Sequence, residues 1–472
     1  MLNSAITGYA RRTAQTVRRL QEDWRLYPNP ALPDLGSRVE GYFDPVSQVV
    51  VLASLEKEDI VAANSDPGSD ARRRFHSLAA HEITHWVDQV TTLWGRRRLV
   101  EMFDGVEAAR LNSEDEMWRA VHVLQSAKRD HLAAYYTTAL RGKADAQADR
   151  PWKAQLSCGF EFGADGRTRE DRPVLFTQFH GFRGPQVSRV PFSTAALLEA
   201  NATWAEIEAE ILWASTLDDA RRPVDFGLIS TRLLDRIYTP ELGAYSVAAH
   251  YVSNKLGVKD VAIAYRLASA LGTVCLNLPT AAVAELAPPA GLKGFGDRVD
   301  KLREIRDLGL AFLSLTASAP TPEVTDPMDE QAVAAWVDGT VRAAGLGTLA
   351  TLEASFADEF ARPPRTALPN PRRGRLEALL QAGLDNLPLR GLYGRRSPTL
   401  PGLIRYGFTA PPLVLGDDGV ISWPTEAPAI IEAEGLPSVR PFSETPETIE
   451  EAIETAARFS SRMHTFMDAC RP

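Results

Sequence analysis

The chain has 472 residues, long enough for a large core and two or three domains. Hydrophobic residues at 44% and charged residues at 24% are ordinary for a folded globular protein and exclude a low-complexity or fibrous chain. A net charge of −9 argues against a general nucleic-acid binder.

Met1 to Leu20 alternates Arg pairs with Ala, Thr and Val and carries no acid before Glu22. It lacks the apolar core of a secretory signal and reads as an amphipathic helix ending near Trp24. The same composition mimics an organelle transit peptide. No stretch reaches about 18 apolar residues, so no membrane span is expected. Three cysteines, at 158, 275 and 470, show no C-x-x-C pairing and point to a reducing compartment. The expected location is cytoplasmic.

Gln48-Val49-Val50-Val51-Leu52 reads as a strand after the turn Asp44-Pro45. A helix follows, capped by Ser69 or Asp70 and ended by Gly95. Phe75, Ala79, Trp86, Val90 and Leu93 recur at helical steps and form its buried stripe. Leu78, His81, His85 and Asp88 follow another line, turned toward a cleft. His81-Glu82-Ile83-Thr84-His85 has the H-E-x-x-H spacing of a zinc hydrolase site. Residues four apart share a helix face, so the two imidazoles can meet one ion. Glu82 stands beside the first of them, placed to take a proton from a water on that ion. His76, five residues before His81, is off the ligand line and reads as a packing or surface histidine.

A strand, a short connection and an H-E-x-x-H helix resemble the order in zincin metallopeptidases. Arg74 to Glu82 also resembles the lead-in to the active helix of the ImmA/IrrE group. The likeness covers some 50 residues. A metzincin would place a Gly and a third His just after the second ligand. Trp86-Val87-Asp88-Gln89-Val90-Thr91 excludes that class. The resemblance therefore implies a gluzincin, which takes its third ligand from a Glu on a later helix. Leu197-Leu198-Glu199-Ala200-Asn201-Ala202 fits, early in a helical run from Thr194 to about Trp213 that Ser193 can cap. An unpaired carboxylate among such apolar neighbours would be costly, and an ion would remove the cost. Glu206, Glu208 and Glu210 are competing candidates on the same helix. Glu206 could serve only if that helix docks about 10 Å further along its axis.

From His85 to Glu199 is 114 residues, so the intervening chain, about 96–190, is an insertion with its own structure. Ser113-Glu114-Asp115-Glu116 is a capping box opening a long helix through Trp118, Val121, Leu124 and Leu132. Residues 158–162 and 174–179 flank the turn Gly163-Ala164-Asp165-Gly166 as a β-hairpin. The insertion is expected to cover one side of the cleft. Metal-bound histidine usually donates its other N–H to a carboxylate, and Asp88 is the expected partner. A developing oxyanion needs a further donor, and Tyr238, Tyr245, His250 and His180 are the candidates.

Downstream, helices are expected over Ser246–Lys255, Val261–Leu276, Pro279–Leu286, Arg298–Leu315, Asp329–Ala344, Leu349–Ala361, Arg375–Leu384 and Thr448–Met467. A small hairpin is expected over Pro411–Trp423. Pro288-Pro289 marks the expected boundary between a catalytic region, 1–290, and a mostly helical C-terminal region, 291–472. The fold class is α+β and mostly helical, with a zincin-like core of small sheet, H-E-x-x-H helix and Glu helix. The expected function is that of a zinc-dependent peptidase: His81, His85 and Glu199 hold the metal, and Glu82 is general base and then acid. Its partner is a peptide or protein substrate, with neither nucleic acid nor membrane. The alternative is a regulatory or binding protein that keeps a zincin core around a structural zinc.

Overall fold

A computed structural model describes residues 40–427, apart from 46–47, 112–114, 133–134, 139–150, 164–166, 182–183, 363–365, 370–372 and 424–426. The expected N-terminal helix, the Ser113–Glu114 cap, the hairpin turn 164–166, the Thr448–Met467 helix and Cys470 lie outside the described residues.

Strands β1 (Tyr42–Asp44) and β2 (Val49–Leu52) open a four-stranded sheet. β2 is apolar at every position because it lies inside the sheet and under a helix. Helix α1 (Lys57–Ser65) leads to α2 (Asp70–Thr91), the H-E-x-x-H helix. Ser69 caps α2 by accepting from the Arg72 amide. Thr92, in extended conformation, ends it, and its hydroxyl donates back to Asp88 O. Gly95 is therefore not the stop signal. It lies inside the next helix, α3 (Leu93–Leu111), where a Cβ would stand 2.3 Å from Gln89 O. Gly95 lets two successive helices meet at a sharp corner.

Helix α4 (Met117–His131) follows and is succeeded by a second sheet of β3 (Thr137–Thr138), β4 (Lys153–Phe162), β5 (Thr168–His180) and β6 (Gln186–Pro191). Its order is β3-β6-β5-β4, all antiparallel. The expected hairpin is present as β4 and β5, longer than the sequence pattern indicates. Helix α5 (Thr194–Ser215) carries the candidate glutamates. Ser193 precedes it but its side chain makes no capping bond.

Helices α6 (Arg222–Ile237), α7 (Gly243–Leu256), α8 (Val261–Leu276), α9 (Thr280–Glu285), α10 (Gly296–Glu304) and α11 (Leu308–Ser318) pack around α5 and the second sheet. The single helix expected over Arg298–Leu315 is two. Arg306 takes a left-handed φ of 57°, and Asp307 then caps α11 by accepting from Leu310 N. Helices α12 (Glu330–Ala343), α13 (Leu349–Ala361), α14 (Arg373–Arg390) and α15 (Leu400–Tyr406) precede β7 (Leu413–Leu415) and β8 (Val420–Ile421). α14 outruns its expected end at Leu384 and carries Pro388 within it.

The first sheet has the order β1-β2-β7-β8, and β7 lies parallel to β2 with Val50 opposite Leu413 and Leu52 opposite Leu415. One core unites Val50 and Leu52 of β2, Ile83, Trp86 and Val90 of α2, Leu376 and Leu379 of α14, and Leu413 and Leu415 of β7. The other runs from Trp152 to Tyr393. Both draw residues from either side of residue 290. The Pro288-Pro289 boundary therefore does not separate two packing units. Residues beyond 290 complete the sheet beside α2 and cover that helix.

Candidate metal centre

The site lies where α2 packs against α5. Ala80 on α2 meets Ala205 and Ala209 on α5, all buried. These small side chains let the two backbones approach. His81 and His85 sit one turn apart on α2, ring centroids 5.1 Å apart.

Glu199 reaches between the two rings. Its Oε2 lies 3.4 Å from His81 Nε2 and 3.7 Å from His85 Nε2. That oxygen is buried, and its polar neighbours are the two imidazole nitrogens. The three ligand atoms fall within 4.8 Å of one another, and the group could hold a metal ion. Two imidazole nitrogens facing one buried carboxylate oxygen are a donor set that a divalent ion satisfies. The residues fit the group expected from the sequence, and the 114-residue gap is no obstacle.

Glu206, the rival ligand, takes a different place. Its Oε2 lies 3.3 Å from Nδ1 of His81, and its Oε1 accepts from Arg236 Nη1 at 2.6 Å. One imidazole ring thus spans the two turns of α5 between Glu199 and Glu206. Glu206 stands beside the second nitrogen of the His81 ring, the kind of position expected of Asp88. Asp88 instead lies fully buried, accepting from Arg390 Nη2 at 2.7 Å and Asn201 Nδ2 at 2.6 Å. Glu210 pairs with Arg73 and Arg232. Glu208 faces Arg266 and Arg390, so neither approaches the imidazoles.

Burial lifts the Glu82 carboxyl to about 7, with His81 opposing and Glu199 and Glu206 adding to the rise. Its carboxyl also accepts from the Phe43 amide of β1. Gly41 makes that approach possible, since a Cβ there would stand 3.1 Å from Glu82 Cγ. Burial disfavours charge on His81, yet Glu199 and Glu206 on its two nitrogens carry it up to about 10. His85 is lowered by burial, with Glu199 opposing. Burial raises Glu206, but Arg236 and His81 outweigh it and bring it to about 2.

Of the four oxyanion-donor candidates, Tyr245 alone is at the centre, its ring 6.1 Å from that of His81. Glu199, burial and Glu82 push its phenol well above the usual range, so it stays a donor at neutral pH. His250 lies in an aromatic cage of Trp152, Phe179 and Tyr238, and its Nε2 donates to Ile237 O at 2.6 Å. Tyr238 belongs to the same cage, and His180 lies on β5 near Gly184 O. Tyr238 and His250 pack against each other and against Trp152. His76 is edge-on to Phe75, off the ligand line as expected.

One participant is not marked by local spacing. Arg236 on α6 holds Glu206 and stands 5.9 Å from the Tyr245 ring centroid. Only the packing of α6 brings it here. No protein-family model, curated protein or solved structure matches the chain.

Proposed function

We propose that the chain is a zinc-dependent peptidase of gluzincin type. The observation that carries this reading is the buried Oε2 of Glu199 between the Nε2 atoms of His81 and His85, with Glu82 next to the first ligand. His81, His85 and Glu199 would hold the ion. A bound zinc ion supplies Lewis acidity, polarising a carbonyl and acidifying a water. Glu82 would be the base that takes a proton from an attacking water and the acid that returns it to the leaving amine. Its raised carboxyl suits both directions of transfer near neutral pH. Tyr245 donates to the oxygen on which negative charge develops. Glu206, gripped by Arg236, fixes the plane of His81.

The substrate class is a peptide or protein amide. No helix among the described residues is long and apolar enough to cross a membrane. Cys158 and Cys275 are free and buried, which fits a reducing, cytoplasmic setting. The test is a broad peptide library incubated with zinc-loaded protein. Cleavage that disappears in Glu82→Gln supports the peptidase reading. A zinc-loaded wild type that cleaves nothing favours a binding protein around a structural ion.

A further inference from the structure

Beside the metal centre lies an ion pair shielded from solvent. Arg390 Nη2 and Asp88 Oδ1 are 2.7 Å apart, and both side chains are 0% exposed. Asn201 donates to the other oxygen of Asp88 at 2.6 Å. Three helices therefore meet at one carboxylate: α2 through Asp88, α5 through Asn201 and α14 through Arg390. Asp88 lies three residues past His85, and Asn201 two past Glu199. The junction sits within one turn of a ligand on each metal-bearing helix.

The guanidinium is itself held. Arg390 Nη1 donates to Arg396 O at 3.3 Å, and Arg266 Nη1 donates to Gly394 O at 3.2 Å in the same loop. Gly394 adopts φ 64°, and a Cβ there would meet Thr273 Oγ1 at 2.8 Å and Arg390 Cζ at 3.4 Å. A buried ion pair is weak evidence for stability, because desolvation offsets the attraction. What it does supply is direction: a planar guanidinium and a carboxylate accept only a narrow range of mutual positions.

We infer that Arg390 is a positioning residue for the metal centre. Acting through Asp88 and Asn201, it sets the separation of α2 and α5 at which Glu199 meets both imidazoles. This inference rests on the metal reading above. It also gives residues far beyond 290 a role at the site, 302 positions from Asp88 in sequence.

Cobalt(II) is the probe, because its visible absorption reports both affinity and ligand geometry. Arg390→Met alone would leave a buried Asp88 carboxylate without its cation and risks unfolding. The main variant is therefore Asp88→Asn with Arg390→Met, which removes both charges and leaves an acceptor for Asn201. It should fold by circular dichroism, bind cobalt at least about tenfold more weakly and show a shifted visible envelope. Arg390→Lys keeps the charge and loses the planar fork. It should shift the envelope the same way, and it decides the matter should the double variant not fold. Leu352→Ala, a cavity variant at a buried position of α13, controls for lost stability and should leave the envelope unchanged. Wild-type affinity and envelope in the folded double variant would overturn the positioning role alone, as would an equal shift in Leu352→Ala. A wild-type chain that takes up no cobalt would overturn the metal reading and this role with it.

Discussion

Glu206 and Glu199 address opposite nitrogens of one ring: Oε2 of Glu206 lies 3.3 Å from Nδ1 of His81, and Oε2 of Glu199 lies 3.4 Å from its Nε2. The two carboxylates are seven residues apart on α5, and an imidazole bridges them. They should therefore respond differently to substitution. Glu199→Ala removes a ligand and should lower zinc affinity by at least about a hundredfold. Glu206→Gln leaves the ligands in place and should cost about tenfold, the low end for an orienting partner. Competitive metal titration of both variants checks the order. A larger loss in Glu206→Gln would reverse the assignment.

Glu82→Gln keeps shape and the ligand set and removes the base. Zinc content should stay at the wild-type level while peptide cleavage falls by at least about a hundredfold. Equal turnover by the two proteins would remove Glu82 from the mechanism.

The strand, the active helix and the glutamate helix were legible in the sequence because each follows a local rule. Apolar continuity marks Val49 to Leu52, the Ser69 cap marks α2, and the four-residue step marks the pairing of His81 with His85. The partners of Asp88 and the place of Gly95 are set by packing instead. Asp88 is spaced correctly for a histidine partner, but Arg390, 302 residues later, claims it. Gly95 resembles a helix stop, and a close approach to Gln89 is what requires it. Tyr245 could not be separated from Tyr238 or His250 by spacing, since only the docking of α7 decides which ring faces His81. Chain punctuation such as Pro288-Pro289 says nothing about a parallel strand returning to β2 at residue 413.

Residues beyond 290 should matter to the stability of α2. Gly383 on α14 lies against it, and a Cβ there would stand 2.1 Å from Val90 O. Gly383→Ala should destabilise the protein by about 1–3 kcal/mol, the usual cost of overpacking. Chemical denaturation measures this, and an unchanged midpoint would contradict the tight α2–α14 contact.

Burial in the Trp152–Phe179–Tyr238 cage lowers His250 from 6.5 to about 4. A depressed histidine favours the folded state above pH 6.5 and loses that contribution as pH falls toward 4. Between pH 7 and pH 5 the loss from this residue is ~2 kcal/mol. His250→Gln retains a donor for Ile237 O but cannot titrate. Chelated wild type should lose ~2 kcal/mol more than chelated His250→Gln over that interval by urea unfolding. Parallel pH profiles would contradict the depressed value.

Metal content tests the central claim most directly. Purified wild-type protein should carry about one zinc per chain, because two imidazoles and a carboxylate form a preassembled site. His81→Ala combined with His85→Ala should carry none while remaining folded. Stoichiometric zinc in that double variant would contradict the site.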